Sequence, residues 1–149
     1  MKKILSIMIV VWGIAVLCTL FLSSCKRPEV LDNSTLVNSA RNVALTFGPA
    51  YVPFFKEANV SDVQVFKKED YGDSRPQIRK QIGRKFYTVT FTYDSTAVKF
   101  DFGFAARVRI WKDTGEPLDV IFGNGWGRNF LFLSFKEQTN HSPNDYEKV

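Results

Sequence analysis

The feature that most constrains the fold is a long alternation of apolar and polar side chains in the second half of the chain. Between positions 98 and 111 every second side chain is apolar, and those between them are mostly charged or small. Residues 86–94 alternate in the same way, with threonines on the second face. A period of two is typical of antiparallel strands that bury one face. We therefore expect a sheet whose longest strand bends or bulges at Gly103.

A helix is predicted before these strands. Asp32, Asn33 or Ser34 can accept a hydrogen bond from the first helical turn. The apolar residues that follow fall on one helical stripe, namely Leu36, Val37, Ala40, Val43, Ala44 and Phe47. The Gly48-Pro49 pair then predicts the end of the helix.

Shorter elements follow the long alternation. A turn at residues 112–117 leads to a predicted strand at residues 118–122, and the glycine-rich residues 123–129 form a hairpin. An apolar run at residues 130–135 is the last predicted strand. Glycine in the hairpin supplies the positive φ that such turns need.

These elements predict an α+β fold, in which the N-terminal helix packs on a bent antiparallel sheet of four or five strands. The order of elements resembles a cystatin-like layout. A small β-barrel is the alternative, since long aromatic strands also close into barrels. We expect a single α+β domain over residues 34–136 and a polar, flexible tail over residues 137–149.

The first 25 residues have the order of a secretion signal. Lys2 and Lys3 precede a run of 19 uncharged residues, and small residues close it. The closing sequence, Leu22-Ser23-Ser24-Cys25, resembles the lipobox of bacterial lipoprotein precursors. That box consists of an aliphatic residue, two small residues and the cysteine at the cleavage point. The alternative is an uncleaved membrane anchor.

The lipobox resemblance implies how the chain is processed and where it resides. Residues 1–24 are then a lipoprotein signal peptide, the sulfur of Cys25 carries a diacylglycerol, and residues 25–33 are a lipidated leader. The membrane partner is reached through this lipid, because buried acyl chains anchor a protein stably when two or more are present. The protein would lie on the extracytoplasmic face of a bacterial membrane. Lys26 is not the aspartate of enterobacterial inner-membrane retention, so a Gram-negative source favours the outer membrane.

Catalysis is not predicted from the side chains of the body. The sole histidine, His141, falls in the predicted tail, and both cysteines precede residue 26. A general base needs a fixed position and zinc prefers cysteine and histidine ligands. We therefore expect no enzyme activity, no catalytic residue, no metal and no cofactor. An enzyme that uses Asp101 and Asp119 is the least favoured hypothesis.

Five aromatic and basic residues are the candidates for contact with a protein partner: Trp126, Arg128, Arg107, Arg109 and Trp111. Tryptophan and arginine are enriched in binding hot spots. The alternative interpretation is structural, with Trp126 packed over the end of the sheet and the arginines covering the sheet surface. On this basis we expect an envelope accessory or assembly subunit that acts by protein binding.

A carrier of a lipid or other small apolar ligand is the alternative function. It requires an apolar pocket beneath Phe91, Phe100, Phe102 and Phe104. Residues 75–85 also carry five positive charges and no acidic residue. This stretch favours anionic headgroups or an acidic partner, and a solvated loop is the alternative. Nucleic acid is not expected as a partner, because the predicted secretion separates the protein from it.

Overall fold

The structure is a computed structural model that describes residues 31–70 and 75–139. In it, a long N-terminal helix is followed by an antiparallel sheet. Three α-helices are described, α1 (Asn33–Phe47), α2 (Pro76–Arg79) and α3 (Phe135–Thr139). The strands are β1 (Ala58–Val60), β2 (Gln64–Val65), β3 (Lys85–Phe91), β4 (Ala106–Trp111), β5 (Pro117–Phe122) and β6 (Gly127–Asn129). Short 3-10 helices cover Pro49–Phe54 and Lys68–Asp70.

The sheet is open and antiparallel throughout. Its strand order is β1-β3-β4-β5-β6, and β2 pairs with the beginning of β3. The predicted α+β fold with an N-terminal helix on an antiparallel sheet is confirmed. The small barrel is not adopted, since β1 and β6 lie at separate edges of the sheet.

α1 supplies one side of the main core. Asp32 caps its first turn by accepting a hydrogen bond from the Thr35 N–H at 2.7 Å, and this bond lowers the pKa of the Asp32 carboxyl. The buried side chains of the helix are Leu36, Ala40, Val43 and Ala44, which is the stripe that the sequence predicts. They pack on alternate residues of the three central strands, including Val89, Phe91, Val108, Ile110, Val120 and Phe122.

A bulge in β5 creates a second apolar cluster on the opposite face of the sheet. Arg109 pairs with Asp119, but the next residue, Ile110, pairs with Pro117, so Leu118 is the extra residue. A bulge of this kind allows two consecutive side chains to point to one side of the sheet. The second cluster therefore contains Leu118 beside side chains from β3, β4 and the segment before them: Phe66, Ile78, Phe86 and Trp111.

Two predicted strands differ from the structure. Only Ala106–Trp111 of the long alternation is a strand. The pairing with β3 ends at Ala106, and before it the Phe102 N–H donates to the carbonyl of Gly123 in the β5–β6 turn. The predicted strand at residues 130–135 is also wrong. Phe130 and Phe135 place their rings 5.4 and 5.7 Å from the ring of Phe47, and the chain begins α3 at Phe135.

The two ends of the sheet are distinguished by their neighbours. At one end lie the start of β3, the end of β4 and the β4–β5 turn, where a Cβ on Gly115 would lie 3.4 Å from a methyl group of Leu31. We name this the Leu31 end. At the other end lie the β5–β6 turn and residues 92–105, and we name this the hairpin end. α1 runs from the first end to the second, where Gly48 contacts the ring of Phe122.

Some predicted boundaries fall outside the described residues. The signal peptide at residues 1–24 and residues 25–30 of the predicted leader are among them, as are residues 140–149 of the predicted tail. The tail was predicted from residue 137, whereas Glu137 to Thr139 complete α3. None of the helices in residues 31–70 and 75–139 combines the length and the apolar character that a membrane crossing requires.

Candidate functional site: an aromatic surface at the hairpin end

The β5–β6 turn depends on its glycines. Gly125 has a φ of +84°, which side-chain-bearing residues rarely adopt. The Asn124 side chain accepts a hydrogen bond from the Trp126 N–H at 3.1 Å. Gly123 is in close contact with its neighbours, because an added Cβ would lie 2.5 Å from the carbonyl oxygen of Phe104. The predicted glycine-rich hairpin is thus present, with a tight turn in place of a wide loop.

Trp126 packs over the end of the sheet and still remains accessible. Its ring stacks on that of Phe122, with centroids 5.4 Å apart and planes 25° apart. Tyr51 stacks on Phe122 as well, at 4.6 Å. The guanidinium carbon of Arg128 lies 5.3 Å from the centre of the Trp126 ring. Even so, 42% of Trp126 is exposed. One part of the side chain therefore covers the end of the sheet, and the rest is available for contact with a partner.

Residues 98–105 place a second exposed ring beside this tryptophan. The Phe102 N–H donates to the carbonyl of Gly123 at 2.9 Å. The ring of Phe102 lies against Gly125, where an added Cβ would be 3.3 Å from it. Phe102 stacks on Phe104 at 5.4 Å and is 46% exposed. The alternation predicted a core position for Phe102, and the structure corrects this, because the segment no longer lies in the sheet.

Arg107 extends the exposed region along β4. Its guanidinium carbon lies 4.3 Å above the ring of Phe104, and the residue is exposed. Phe54 extends the region on the other side, where its ring meets that of Phe100 edge-on at 5.8 Å. We name the whole region the aromatic surface, defined by Phe54, Phe102, Trp126, Arg107 and Arg128.

Arg109 has a structural role in the sheet. Its Nε donates to the two oxygens of Asp119 at 3.0 and 3.1 Å, and its Nη2 forms a further bond to the same carboxylate. Asp119 is buried. A buried carboxylate must be paired, because removing a charge from water without compensation is costly. Arg109 is therefore committed to this pair rather than to an external partner.

Trp111 is also removed from the set of contact residues. It is 5% exposed and lies in the second apolar cluster. Its ring meets that of Phe66 at 5.6 Å, and the guanidinium carbon of Arg84 lies 3.9 Å above it. The alternation alone predicted an exposed face for this position. Phe66 and Ile78 cover that face, and their isolated apolar side chains within a polar stretch were the available signal.

The space required by a carrier is filled by side chains. Phe91 is buried and stacks on Phe55 with centroids 4.2 Å apart and planes 8° apart. Phe100 contacts the rings of Tyr51 and Tyr93 at 5.5 and 4.8 Å. Two surface grooves flank β6, with volumes of about 270 and 390 Å³, and both are lined by Gly127, Arg128 and Asn129. Neither of these two grooves lies beneath Phe91, Phe100, Phe102 and Phe104, where the carrier hypothesis places its pocket.

The remaining site predictions concern other parts of the chain. Cys25 lies outside the described residues, so its lipidation stays a prediction. Asp119 is paired with Arg109, whereas Asp101 is exposed in the segment before β4. Within residues 31–70 and 75–139, no group of three or more histidine, cysteine, aspartate or glutamate residues could hold a metal ion. No family model, curated protein or solved structure matches the chain.

Proposed function

We propose that this protein is a lipoprotein, anchored through Cys25 to the extracytoplasmic face of a bacterial membrane, that binds another envelope protein as an accessory or assembly subunit. The observation that carries the proposal is the aromatic surface. Three large apolar side chains remain exposed there, and the rings behind two of them, Phe104 and Phe122, are buried. Exposed apolar patches rimmed by polar groups mark protein interaction sites.

The chemistry of this surface defines the partner. Phe102 and Trp126 offer flat apolar area with few rotatable bonds, and Arg107 and Arg128 lie beside them over aromatic rings. The guanidinium of Arg107, whose face lies on the ring of Phe104, is exposed and matches the geometry of a carboxylate. The complementary surface therefore carries apolar side chains flanked by carboxylates. Such an arrangement concentrates binding energy in a few central residues.

The direction of α1 supports a partner that binds at the hairpin end. The helix has 15 residues, which corresponds to about 22 Å. It begins two residues after Leu31 and ends at the hairpin end. The aromatic surface therefore lies at the end of the domain opposite Leu31, which supports a partner that approaches from that end.

Site-specific photocrosslinking in the native membrane tests the binding proposal. A photoreactive phenylalanine analogue replaces Phe102 in one strain and Val63, which is 38% exposed on another part of the domain, in a control strain. We expect one discrete crosslinked product from position 102, absent from position 63, whose mass spectrum identifies a different protein. Adding Trp126→Ala and Arg107→Ala should remove it, whereas Lys99→Ala should not. Equal products at both positions, or a product containing two copies of this chain, would contradict the proposal.

The anchor is tested separately by the intact mass of the mature chain. We expect a chain that begins at Cys25 and carries the mass of acyl groups. A Cys25→Ala variant should lack that mass and leave the washed membrane fraction, or stay unprocessed with residue 1 in place. A free thiol at position 25 in the wild type contradicts the anchor without bearing on the aromatic surface.

A further inference from the structure

We infer that the Leu31 end of the domain is a docking surface for anionic lipid headgroups, which orients the domain on the membrane that anchors it. The inference rests on the proposed lipid anchor and goes beyond it. We name this region the basic surface. It comprises four exposed basic residues and two exposed apolar residues: Arg79, Lys80, Lys85, Lys112, Val65 and Ile82.

A continuous series of contacts brings these residues to the end where the described chain begins. Leu31 lies against Gly115 in the β4–β5 turn. Lys112, in the same turn, donates its backbone N–H to the carbonyl of Lys85 at 2.9 Å. Lys85 pairs with Val65 across β2 and β3. The basic surface and the point where residue 30 joins Leu31 therefore share one end of the sheet.

α2 and the turn after it complete the surface. The Gly83 N–H donates to the carbonyl of Phe66 at 2.9 Å, which fixes the turn against the end of β2. Ile78 is buried in the second apolar cluster and anchors α2 to the sheet. Arg79 and Lys80 follow it and are exposed. Buried Ile78 thus holds the adjacent charges in a fixed position rather than on a free loop.

The acidic residues at this end do not cancel the positive charge. Asp113 is held by Arg84, whose Nε and Nη2 donate to its two oxygens at 3.0 and 2.7 Å. Asp32 is engaged in capping α1. Among the residues that the structure describes at this end, Glu116 and Glu69 are the other exposed acidic side chains. Within that set, four exposed cations against two exposed carboxylates leave a net attraction for an anionic surface.

The apolar members favour a lipid surface over an acidic protein segment. Ile82 and Val65 are each 44% exposed and lie among the basic residues. An apolar side chain flanked by lysine and arginine is typical of surfaces that lie in the headgroup region, where the aliphatic part enters the interface. The hairpin end differs, since its exposed apolar side chains include Phe102 and Trp126, aromatic rings that stack on buried rings.

The length of the leader also favours a lipid surface over a protein as the ligand of the basic surface. Six residue steps separate Cys25 from Leu31 in the sequence, so the two Cα atoms are at most about 20 Å apart. A domain held this closely to a bilayer by its Leu31 end has the basic surface within reach of the headgroups. An acidic protein would have to enter the same narrow space.

A fluorescent label at position 82 tests the inference in the full lipidated protein. Ile82→Cys and, as a control at the hairpin end, Ser95→Cys are labelled in a Cys18→Ser background with an environment-sensitive dye. The proteins are reconstituted in vesicles of phosphatidylcholine alone, or of phosphatidylcholine and phosphatidylglycerol in equal parts. We expect a blue shift at position 82 in the anionic vesicles only, lost at about 1 M salt, where the screening length is about 3 Å. No shift is expected at position 95.

Charge reversal supplies the matched comparison. Each basic residue close to an anionic bilayer contributes about fivefold to binding. Arg79→Glu with Lys80→Glu should therefore lower the ratio of docked to undocked domains more than about tenfold. Lys99→Glu with Lys136→Glu changes the net charge equally, away from the basic surface, and should have a small effect. Equal effects of the two pairs would overturn the inference.

The same samples separate this inference from the proposed anchor. Flotation with neutral vesicles reports the anchor alone. A protein that floats with both kinds of vesicle but shows no anionic shift at position 82 overturns the docking surface and leaves the anchor intact. A protein that fails to float with neutral vesicles contradicts the anchor. If an acidic peptide produces as large a blue shift at position 82 as anionic vesicles do, the surface is assigned to a protein partner instead.

Discussion

Arg109 on β4 lies directly opposite Asp119 on β5, and its guanidinium holds the buried carboxylate beside the bulge at Leu118. The pair lies on the face of the sheet that α1 leaves uncovered. Because the bulge turns Leu118 and Asp119 to the same side, the carboxylate is adjacent to the second apolar cluster. The ion pair therefore fixes the point where the strand register shifts.

Removing either partner of this pair should destabilise the protein unequally. Arg109→Met leaves a buried carboxylate without its cation and should lower the free energy of unfolding by about 3 kcal/mol. Asp119→Leu should cost less, since the Arg109 side chain is more exposed than that of Asp119. The double variant should be more stable than the sum of the single losses predicts. Urea denaturation measures all three, and strict additivity would contradict the coupling.

Truncation of the two tryptophans of the described domain should lower stability by different amounts. Trp111→Ala empties part of the second cluster and should lower the free energy of unfolding by about 3–5 kcal/mol. Trp126→Ala removes one ring stacked on Phe122 and should cost about 0.5–1.5 kcal/mol. Unfolding followed by circular dichroism measures both. Only Trp126→Ala should remove the crosslinked product from position 102 while the protein stays folded.

Substitutions at Gly48 and Gly103 form a matched pair that tests how closely the end of α1 approaches the sheet. A Cβ on Gly48 would overlap the ring of Phe122, whereas a Cβ on Gly103 would meet nothing within 4 Å. Gly48→Ala should therefore lower the free energy of unfolding by about 1–3 kcal/mol, which also lowers the denaturant midpoint. Gly103→Ala should leave it unchanged or raise it slightly. Similar losses from both substitutions would contradict the packing of helix end against strand.

The Arg84–Asp113 pair should make a small, pH-dependent contribution to stability. The hydrogen bonds from Arg84 lower the pKa of the Asp113 carboxyl below its ordinary value, which is about 3.9 in an unfolded chain. Since the folded pKa is the lower one, the contribution is complete above about pH 3.9 and disappears as pH falls through the folded pKa. Asp113 is largely exposed, so the effect at neutral pH is at most about 1 kcal/mol.

The variant Asp113→Asn measures this contribution. The difference in unfolding free energy between wild type and variant should be present at neutral pH and should vanish in acid below the folded pKa. A concentrated salt solution at neutral pH should reduce it as well. A difference that is the same in acid and at neutral pH would place its origin outside the ion pair.

The main core was predictable because its pattern is local. The stripe of α1 and the alternation of residues 86–91 identify side chains that share a face, and both elements appear with those faces buried. The alternation failed at residues 98–105, where Phe100 is packed by rings from other segments. The alternation shows which side chains are apolar, but it does not show whether the backbone pairs with a neighbouring strand.

α3 had a signal that the apolar run concealed. Ser134 and Glu137 form a capping box, in which the Glu137 carboxylate accepts from the Ser134 N–H at 2.7 Å and Ser134 Oγ accepts from the Glu137 N–H at 3.3 Å. A serine followed three residues later by glutamate predicts a helix start. The apolar residues around it favour a strand instead.

The aromatic surface was predictable only in part. Trp126 and Arg107 are exposed as expected and Arg128 is partly so, whereas Arg109 and Trp111 are taken up by an ion pair and by the second cluster. Asp119 reaches Arg109 from the neighbouring strand, and Phe66 and Ile78 pack with Trp111 on a face that the alternation leaves open. Such long-range coverage depends on tertiary contacts that no local period contains.

The short outer strands of the sheet limit the association of neighbouring molecules. β1 and β6 have three residues each and β2 has two. Unpaired backbone groups along an outer strand are a template for polymerisation with neighbouring molecules, and brief strands limit that template. Many copies can therefore be packed side by side at high surface density without joining into a continuous fibre.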